Sequence, residues 1–538
     1  MLALSTNRSK IKESALDFSS EGLLLMSTPI DATGATDVST SDYGFFGHPR
    51  GLSTLFFTEM WERFSYYGMR AILTLYMTKS LADGGLAFDE KYAALIYATY
   101  VSSVWYLPLI GGWLADKVFG ARRAVLIGGI IIACGHYSMA INTHVNFYLG
   151  LILIACGTGL LKPNISAMVG QLYSERDQRR DAGFSIFYMG INLGAFLSPI
   201  VVGFLAQHPW FRGFISSMGF NPNSAWHWGF AAAGVGMTLG LIQYVLGKNR
   251  LRGVGQKPDR LSENPSVQTP SGFDFLTLAL AVVGGITGAA LGYFIGGGFI
   301  SALFPLVVGF FAGYLIGTTR LLSGDELKRV LAIFILFVFS ILFWMTYEQA
   351  GSSLTLFADR MTRTTVFGWQ YPSSWFQSVP AVFVIIFAPL FAALWQKLGA
   401  RQPSSPGKFI YGLFFAGIAF VVVTIASMLG AGGRVSPMWL VIVYLIQTFG
   451  ELCLSPVGLS TVTKLSPARM VGLMMGVWFL SISIGSYIAG LTTRLFAGND
   501  NAVLTRGFAT FSAITLFAAL VLAVLTPLIK KLIPREVI

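Results

Sequence analysis

The sequence predicts an all-α polytopic membrane protein, on three observations. Of its 538 residues 54% are hydrophobic, only 12% are charged, and the mean hydropathy is +0.65. A soluble domain carries about 25% charged residues, so this chain lacks the charge to coat a water-exposed surface. The apolar residues also fall in blocks that reach the roughly 20 residues a helix needs to cross a bilayer core. Finally, blocks such as Ala124–Ala133 and Leu331–Met345 do not alternate in polarity. Membrane β-strands do alternate, over about 10 residues, so helices are the fitting element.

Fourteen spans are expected, at about 52–80, 92–115, 122–141, 146–171, 182–207, 226–247, 274–295, 297–319, 329–358, 373–396, 408–430, 437–463, 469–495 and 505–532. Gly296–Gly298 must make a very tight turn between the seventh and eighth. An even count puts both termini on one side, and the basic residues say which. The loops on the side of the N-terminus hold Lys117, Arg122 and Arg123; Arg176, Arg179 and Arg180; and Lys248, Arg250, Arg252, Lys257 and Arg260. They continue with Arg320, Lys328 and Arg329; Lys397, Arg401 and Lys408; Lys464 and Arg469; and Lys530, Lys531 and Arg535. The opposite loops hold fewer, among them Lys79, Lys91, Arg212, Arg360, Arg363, Arg434, Arg494 and Arg506. The asymmetry assigns both termini to the cytoplasm of a multi-pass protein in the inner (cytoplasmic) membrane. It also explains the net charge of +12 without nucleic acid.

The polar connector Gly247–Asp274 divides the chain. The expected units are a cytoplasmic tail (1–45), a six-helix bundle (46–247), a cytoplasmic linker (248–273), two inserted helices (274–320) and a second six-helix bundle (321–538). Leu23–Met26 is too short for a signal peptide. Cys134, Cys156 and Cys453 sit in apolar blocks without metal spacing and read as packing residues. The five histidines form no metal-spaced cluster and no Ser/His/Asp set stands out, so neither a metal, a cofactor nor an enzyme is expected.

Charges inside spans carry the functional signal. A charged side chain at mid-bilayer costs at least about 2.5–3.5 kcal/mol, so it faces a cavity or a partner. The first span holds Glu59, Glu62, Arg63 and Arg70, largely on one helical face, with Tyr66 and Tyr67 beside them. A static ion network is the competing reading. Lys162 stands next to Pro163, which can bend the helix and free a backbone carbonyl. Its ammonium calls for an anion, unless it snorkels towards a helix end. Tyr188 and Asn192 offer hydrogen bonds in the fifth span, to a substrate or to a neighbouring helix. Glu348 and Glu451 are isolated carboxyls in the second half. A carboxyl whose cationic partner comes and goes can carry a proton, whereas a permanent partner would make it structural. Cations in one half and acids in the other would give one cavity a positive and a negative wall. That suits a zwitterion and offers ion pairs across the halves that could lock one gate at a time.

At these residues the chain resembles the proton-dependent oligopeptide transporters of the major facilitator superfamily. Glu59-Met-Trp-Glu62-Arg63-Phe64-Ser-Tyr66-Tyr67-Gly68 matches the family's E-x-x-E-R-F-x-Y-Y-G. Gly157–Tyr173 and Phe184–Pro199 are similar to its fourth- and fifth-span signatures, and Gly112…Asp116-Lys117…Gly120…Arg122-Arg123 to the superfamily's cytoplasmic loop. The resemblance covers about residues 45–530 and implies two six-helix bundles plus two extra helices, as in prokaryotic members. It implies proton-coupled symport of di- and tripeptides by alternating access, by a monomer. By resemblance, Arg63, Arg70 and Lys162 bind the peptide carboxylate, and Glu348 with Asn192 takes the amine. Glu59, Glu62, Arg63 and Glu348 couple to protons. Arg70–Glu348 and Lys162–Glu451 form the outer and inner gate pairs. Tyr67, Trp344 and Trp478 shape side-chain pockets, and Glu451 and Ser455 complete the substrate set. One departure is Val379, which stands before Pro380 where peptide-carrying members often have Asn. It removes a hydrogen bond worth roughly 0.5–1.5 kcal/mol. The alternative substrates are nitrate or a peptide-like organic anion.

Overall fold

The structure, a computed structural model, describes residues 44–174, 177, 179–256, 274–296, 298–467, 470–496 and 501–532. The expected tail before residue 44, linker residues 257–273, and Arg176, Lys257, Arg260, Arg469 and Arg535 lie outside these ranges, as do the side chains of Asp116, Lys117 and Arg494.

The first bundle comprises α1 (Arg50–Thr78), α2 (Glu90–Leu114), α3 (Ala121–Met139), α4 (His144–Gln171), α5 (Arg180–Gln207), the short α6 (Pro209–Ser217) and α7 (Ala225–Leu246). α8 (Phe275–Gly296) and α9 (Phe299–Thr319) follow. The second bundle comprises α10 (Gly324–Tyr347), the short α11 (Ser353–Met361), α12 (Val379–Leu398), α13 (Ser405–Leu429), α14 (Met438–Leu465), α15 (Val471–Thr492) and α16 (Asn501–Leu532). Among the described residues, 12 helical segments are long and apolar enough to cross a membrane. α1 and α3, 29 and 19 residues long, fall short of that apolar standard because of Glu59, Glu62, Arg63 and Arg70 in one and Arg122 and Arg123 in the other. With them the expected fourteen spans are present in order.

In the first bundle α1 packs between α5 and α7, and α3 between α4 and α7. In the second, α13 packs on α14 and α16, and α10 on α15. The bundles meet along α2 against α15, and along α5 against α12 and the 3-10 turn Ser373–Ser378 that precedes it. α8 and α9 form a hairpin whose backbones touch at Gly284/Gly309 and Gly288/Pro305. A side chain at Gly284 or Gly288 would strike the carbonyl opposite. The hairpin leans on the seam through Phe304, whose ring centroid is 4.4 Å from that of Tyr487 and 5.9 Å from that of Tyr106. Phe275, Phe294 and Ile295 remain exposed on it, as suits lipid contact.

Two expectations change. The ninth span is not one helix: α10 ends at Tyr347, Glu348–Gly351 tightens into a 3-10 turn, and α11 restarts at Ser353. Such broken helices place backbone and carboxyl groups at a site while the surrounding protein satisfies them. The start of the linker is also not free. Residues 248–256 fold back on the first bundle, where Arg122 donates to Gly255 O (2.8 Å) and Val254 O (3.1 Å), and Gly255 N donates to Gln171 Oε1 (2.8 Å). Gly255 holds φ +74°, a conformation that favours glycine.

Candidate functional site

The α1–α2 connection marks the distal end of the molecule, and the start of α1 marks the proximal end. α1 crosses between them with its charged turn buried. Gly194 of α5 lets the α1 backbone approach there, because a side chain at that position would meet Met60 O and Arg63. Arg63 Nε lies 3.2 Å from Glu59 Oε1 and is hydrogen-bonded to Glu62. All three side chains are at most 4% exposed. One oxygen of each carboxylate and one guanidinium nitrogen find no hydrogen-bond partner among the described residues. The turn therefore holds two acids and one base, with buried hydrogen-bonding capacity to spare. A buried polar group without a partner is costly, which marks these atoms for a proton, water or ligand.

Towards the distal end, Arg70 joins the halves. Its Nη2 donates to Glu348 Oε2 at 2.5 Å and its Nε to Tyr97 Oη at 2.8 Å. The broken helix makes this possible: Thr74 Oγ1 donates to Gly351 O (2.9 Å), and a Cβ at Gly351 would land on the Tyr97 hydroxyl and crowd Arg70 Nε. Two further pairs cross between the halves at this end, Lys79–Asp359 (2.6 Å) and Arg360–Glu90 (2.5 Å). Uncharged groups add to them. Ser378 donates to Phe196 O (2.7 Å), Trp375 Nε1 to Ile200 O (3.1 Å) and Gln207 Nε2 to Ser373 Oγ (3.2 Å).

Lys162 and Glu451 are not brought together. The Lys162 ammonium lies 3.2 Å from the ring centroid of Trp105 and has no hydrogen-bond partner among the described residues. Trp105 in turn stacks across the halves on Phe479, centroid to centroid 6.5 Å. Glu451 accepts a hydrogen bond from Tyr347 Oη at 2.5 Å. Each charge is thus held by an aromatic side chain of its own half. A cation over a tryptophan face gains about 0.5–2 kcal/mol and uses none of the ammonium's hydrogen-bonding capacity.

The other candidates divide. Tyr67 of α1 and Ser455 of α14 are half-buried, and Asn192 is buried, its Nδ2 donating to Tyr188 O (3.0 Å) and not to Glu348. Trp344 is buried with its indole N–H unsatisfied and its ring 5.4 Å from that of Tyr347. Trp478 is 2% exposed, set against Gly458 and 6.0 Å from the Phe409 ring, so in this conformation it serves helix packing. Beside Val379, Gln377 Nε2 donates to Thr355 Oγ1 (2.8 Å) and to Ala350 O, supplying polarity next to the Glu348 turn. Trp105, Tyr347 and Tyr97 were missed by sequence reasoning. Trp105 and Tyr97 lie on α2, far in sequence from Lys162 and Glu348, and Tyr347 offered a signal only by preceding Glu348.

The chain matches the model of the POT family over residues 122–283 and 307–514. It is 43% identical to the uncharacterized transporter YclF of Bacillus subtilis (strain 168), over 92% of this chain and 96% of that one. It is 36% identical to a di-/tripeptide transporter of Lactococcus lactis subsp. cremoris, over 92% and 98%. Its fold superposes with a TM-score of 0.78 on a crystal structure of a peptide transporter POT, a mutant in complex with alafosfalin. That protein shares 42% identity, over 91% of this chain and 97% of that one.

Proposed function

We propose that this chain, which by its family match and its relatives belongs to the POT family, carries di- and tripeptides together with protons across the cytoplasmic membrane by alternating access. The relatives named as peptide transporters, matched over nearly their full length, support the substrate class. It works as a monomer in the lipid bilayer, with both termini and the proximal end in the cytoplasm. The units delimited by residues 46–247 and 321–538 move against each other about the cleft, with 274–320 as a peripheral attachment.

One observation carries the reading: Arg70 and Glu348 are paired across the halves while Lys162 and Glu451 are each held within their own half. The geometry fits a conformation closed at the distal, external end. In the opposite conformation Lys162 meets Glu451 at the inner gate and Arg70 leaves Glu348. The peptide carboxylate meets Arg63, Arg70 and Lys162, and its amine meets Glu348 and Asn192. Tyr67, Trp344, Glu451 and Ser455 border the space that its side chains fill, and Trp478 supports that wall.

Charge balance gives the proton its place. Glu59, Glu62, Glu348 and Glu451 face three cations, Arg63, Arg70 and Lys162. A zwitterionic dipeptide adds no net charge, whereas one proton neutralises the set. Glu59 and Glu62, sharing Arg63, are the natural receivers because each keeps a free buried oxygen. A membrane potential then assists inward movement of the proton by about 2.3 kcal/mol per 100 mV.

The test is uptake of labelled dialanine into proteoliposomes under an imposed proton gradient. Accumulation above the external concentration is expected, and uptake that ignores both gradient and potential would refute coupling. Glu59→Gln is expected to abolish driven accumulation while keeping dipeptide exchange. Wild-type accumulation in that variant would remove Glu59 from the coupling role.

A further inference from the structure

A cavity of about 570 Å³ lies among the proximal ends of α12, α13, α14 and α16, lined by none of the charged residues of the candidate site. Three lysines line it, one from each of three helices: Lys408 of α13, Lys464 of α14 and Lys530 of α16. Among the described residues no acidic side chain lines it. Lys408 is held by neutral groups among the described residues, its ammonium 2.8 Å from Gln402 Oε1 and 4.6 Å from the Trp395 ring centroid. Lys464 and Lys530 are exposed and make no ion pair among the described residues. The first turn of the 25-residue α13, where Ser405 borders the cavity, carries no side-chain cap. Its amide groups add positive potential to that of the lysines.

Three like charges around one cavity repel one another, and an anion seated among them removes the repulsion. The contrast with the first bundle is informative. The sequence Lys397-Leu-Gly399-Ala-Arg401 between α12 and α13 parallels Lys117-Val-Phe-Gly120-Ala-Arg122 between α2 and α3, and both glycines have positive φ, +49° and +75°. At the α2–α3 corner Arg122 is satisfied by backbone carbonyls of residues 252–255. At the α12–α13 corner no described segment plays that part.

We propose that this cavity binds a phosphate group, and that the phosphate belongs to the headgroup of an anionic phospholipid in the cytoplasmic leaflet. The lipid source is favoured because Tyr411, one helical turn from Lys408 on α13, is an exposed apolar side chain suited to an acyl chain. Basic pockets between transmembrane helices on the cytoplasmic side bind such headgroups.

The test uses the full chain purified in detergent, titrated with phosphatidylglycerol, phosphatidylcholine or inorganic phosphate at constant ionic strength, with Tm as the readout. Phosphatidylglycerol is expected to raise Tm saturably and phosphatidylcholine not to. The triple variant Lys408→Gln/Lys464→Gln/Lys530→Gln is expected to bind phosphatidylglycerol about 100-fold more weakly, from three cations near the membrane surface. Lys530→Gln alone, at an exposed position, is expected to lose about fivefold and keeps the test decisive should the triple variant not fold. Stabilisation by inorganic phosphate without any by phosphatidylglycerol would overturn the lipid assignment. Equal phosphatidylglycerol responses in wild type and variants would overturn the site itself.

Discussion

The two ends of the cleft use the same chemistry and are in opposite states. Each offers a cation from the first half, Arg70 or Lys162, and a carboxylate from the second, Glu348 or Glu451. At the distal end they are joined, backed by Lys79–Asp359 and Arg360–Glu90. Towards the proximal end they are parted, Lys162 on Trp105 and Glu451 on Tyr347. Arg70 too has an aromatic partner in its own half, Tyr97, so what differs is the carboxylate. Glu348 meets Arg70 across the halves, whereas Glu451 is taken by Tyr347 of its own half. Alternation needs no more than a modest energy difference between these arrangements, since a few kcal/mol decides the population.

The largest break in this symmetry is expected from Glu348→Gln. It leaves Arg70 as a buried charge without its counter-ion, at a cost of about 3–5 kcal/mol. Driven dipeptide uptake should fall by at least 100-fold, and reagents added outside should reach the cleft more readily. A variant with wild-type uptake would show that this pair does not hold the distal end.

Tyr347→Phe acts from the other side. Removing a hydrogen bond to a charged group shifts about 1.5–3 kcal/mol. It should free Glu451 for Lys162 and favour closure at the proximal end, read as slower dipeptide release and a lower turnover. Faster proximal opening would contradict the competition between Tyr347 and Lys162 for Glu451. Gly351→Ala is expected to push Tyr97 and Arg70 off their positions, with an overpacking cost of about 1–3 kcal/mol, and to weaken the distal end in the same sense as Glu348→Gln. Unaltered transport in Gly351→Ala would mean that the Arg70 geometry tolerates the added methyl. The smallest effect belongs to Lys79→Gln. Its pair with Asp359 is about one-third exposed on the lysine side, and such pairs contribute only about 0.2–1 kcal/mol. A change in uptake of more than about fivefold would promote that pair from a reinforcement to a gate.

Much of this comparison was legible in the sequence because burial of charge is expensive. Glu59, Glu62, Arg63, Arg70, Lys162, Glu348 and Glu451 stood out for that reason, and the alternating basic loops set the order of the spans. Less was legible where cost leaves no mark. Trp105 and Tyr347 look like ordinary packing residues, yet they are the side chains that contact Lys162 and Glu451. The break at Glu348–Gly351 sits inside an apolar run that reads as one helix, and tertiary contacts override it. Lys79, Glu90, Asp359 and Arg360 lie at loops or helix ends, where charges are expected for topology and solvation. Only the folded arrangement shows them facing one another across the halves.

The alternation of the two ends is best tested by measuring both in one protein. Once Cys134, Cys156 and Cys453 are replaced, spin labels at Ser80 and Thr365 report the distal end, and labels at Ser174 and Thr463 the proximal end. Pulsed electron–electron distance distributions would be collected across a dipeptide titration at two pH values. The account expects the fraction with a short distal distance to equal the fraction with a long proximal distance under every condition, with Glu348→Gln moving both together. A proximal distance that stays fixed while the distal distance lengthens would contradict it.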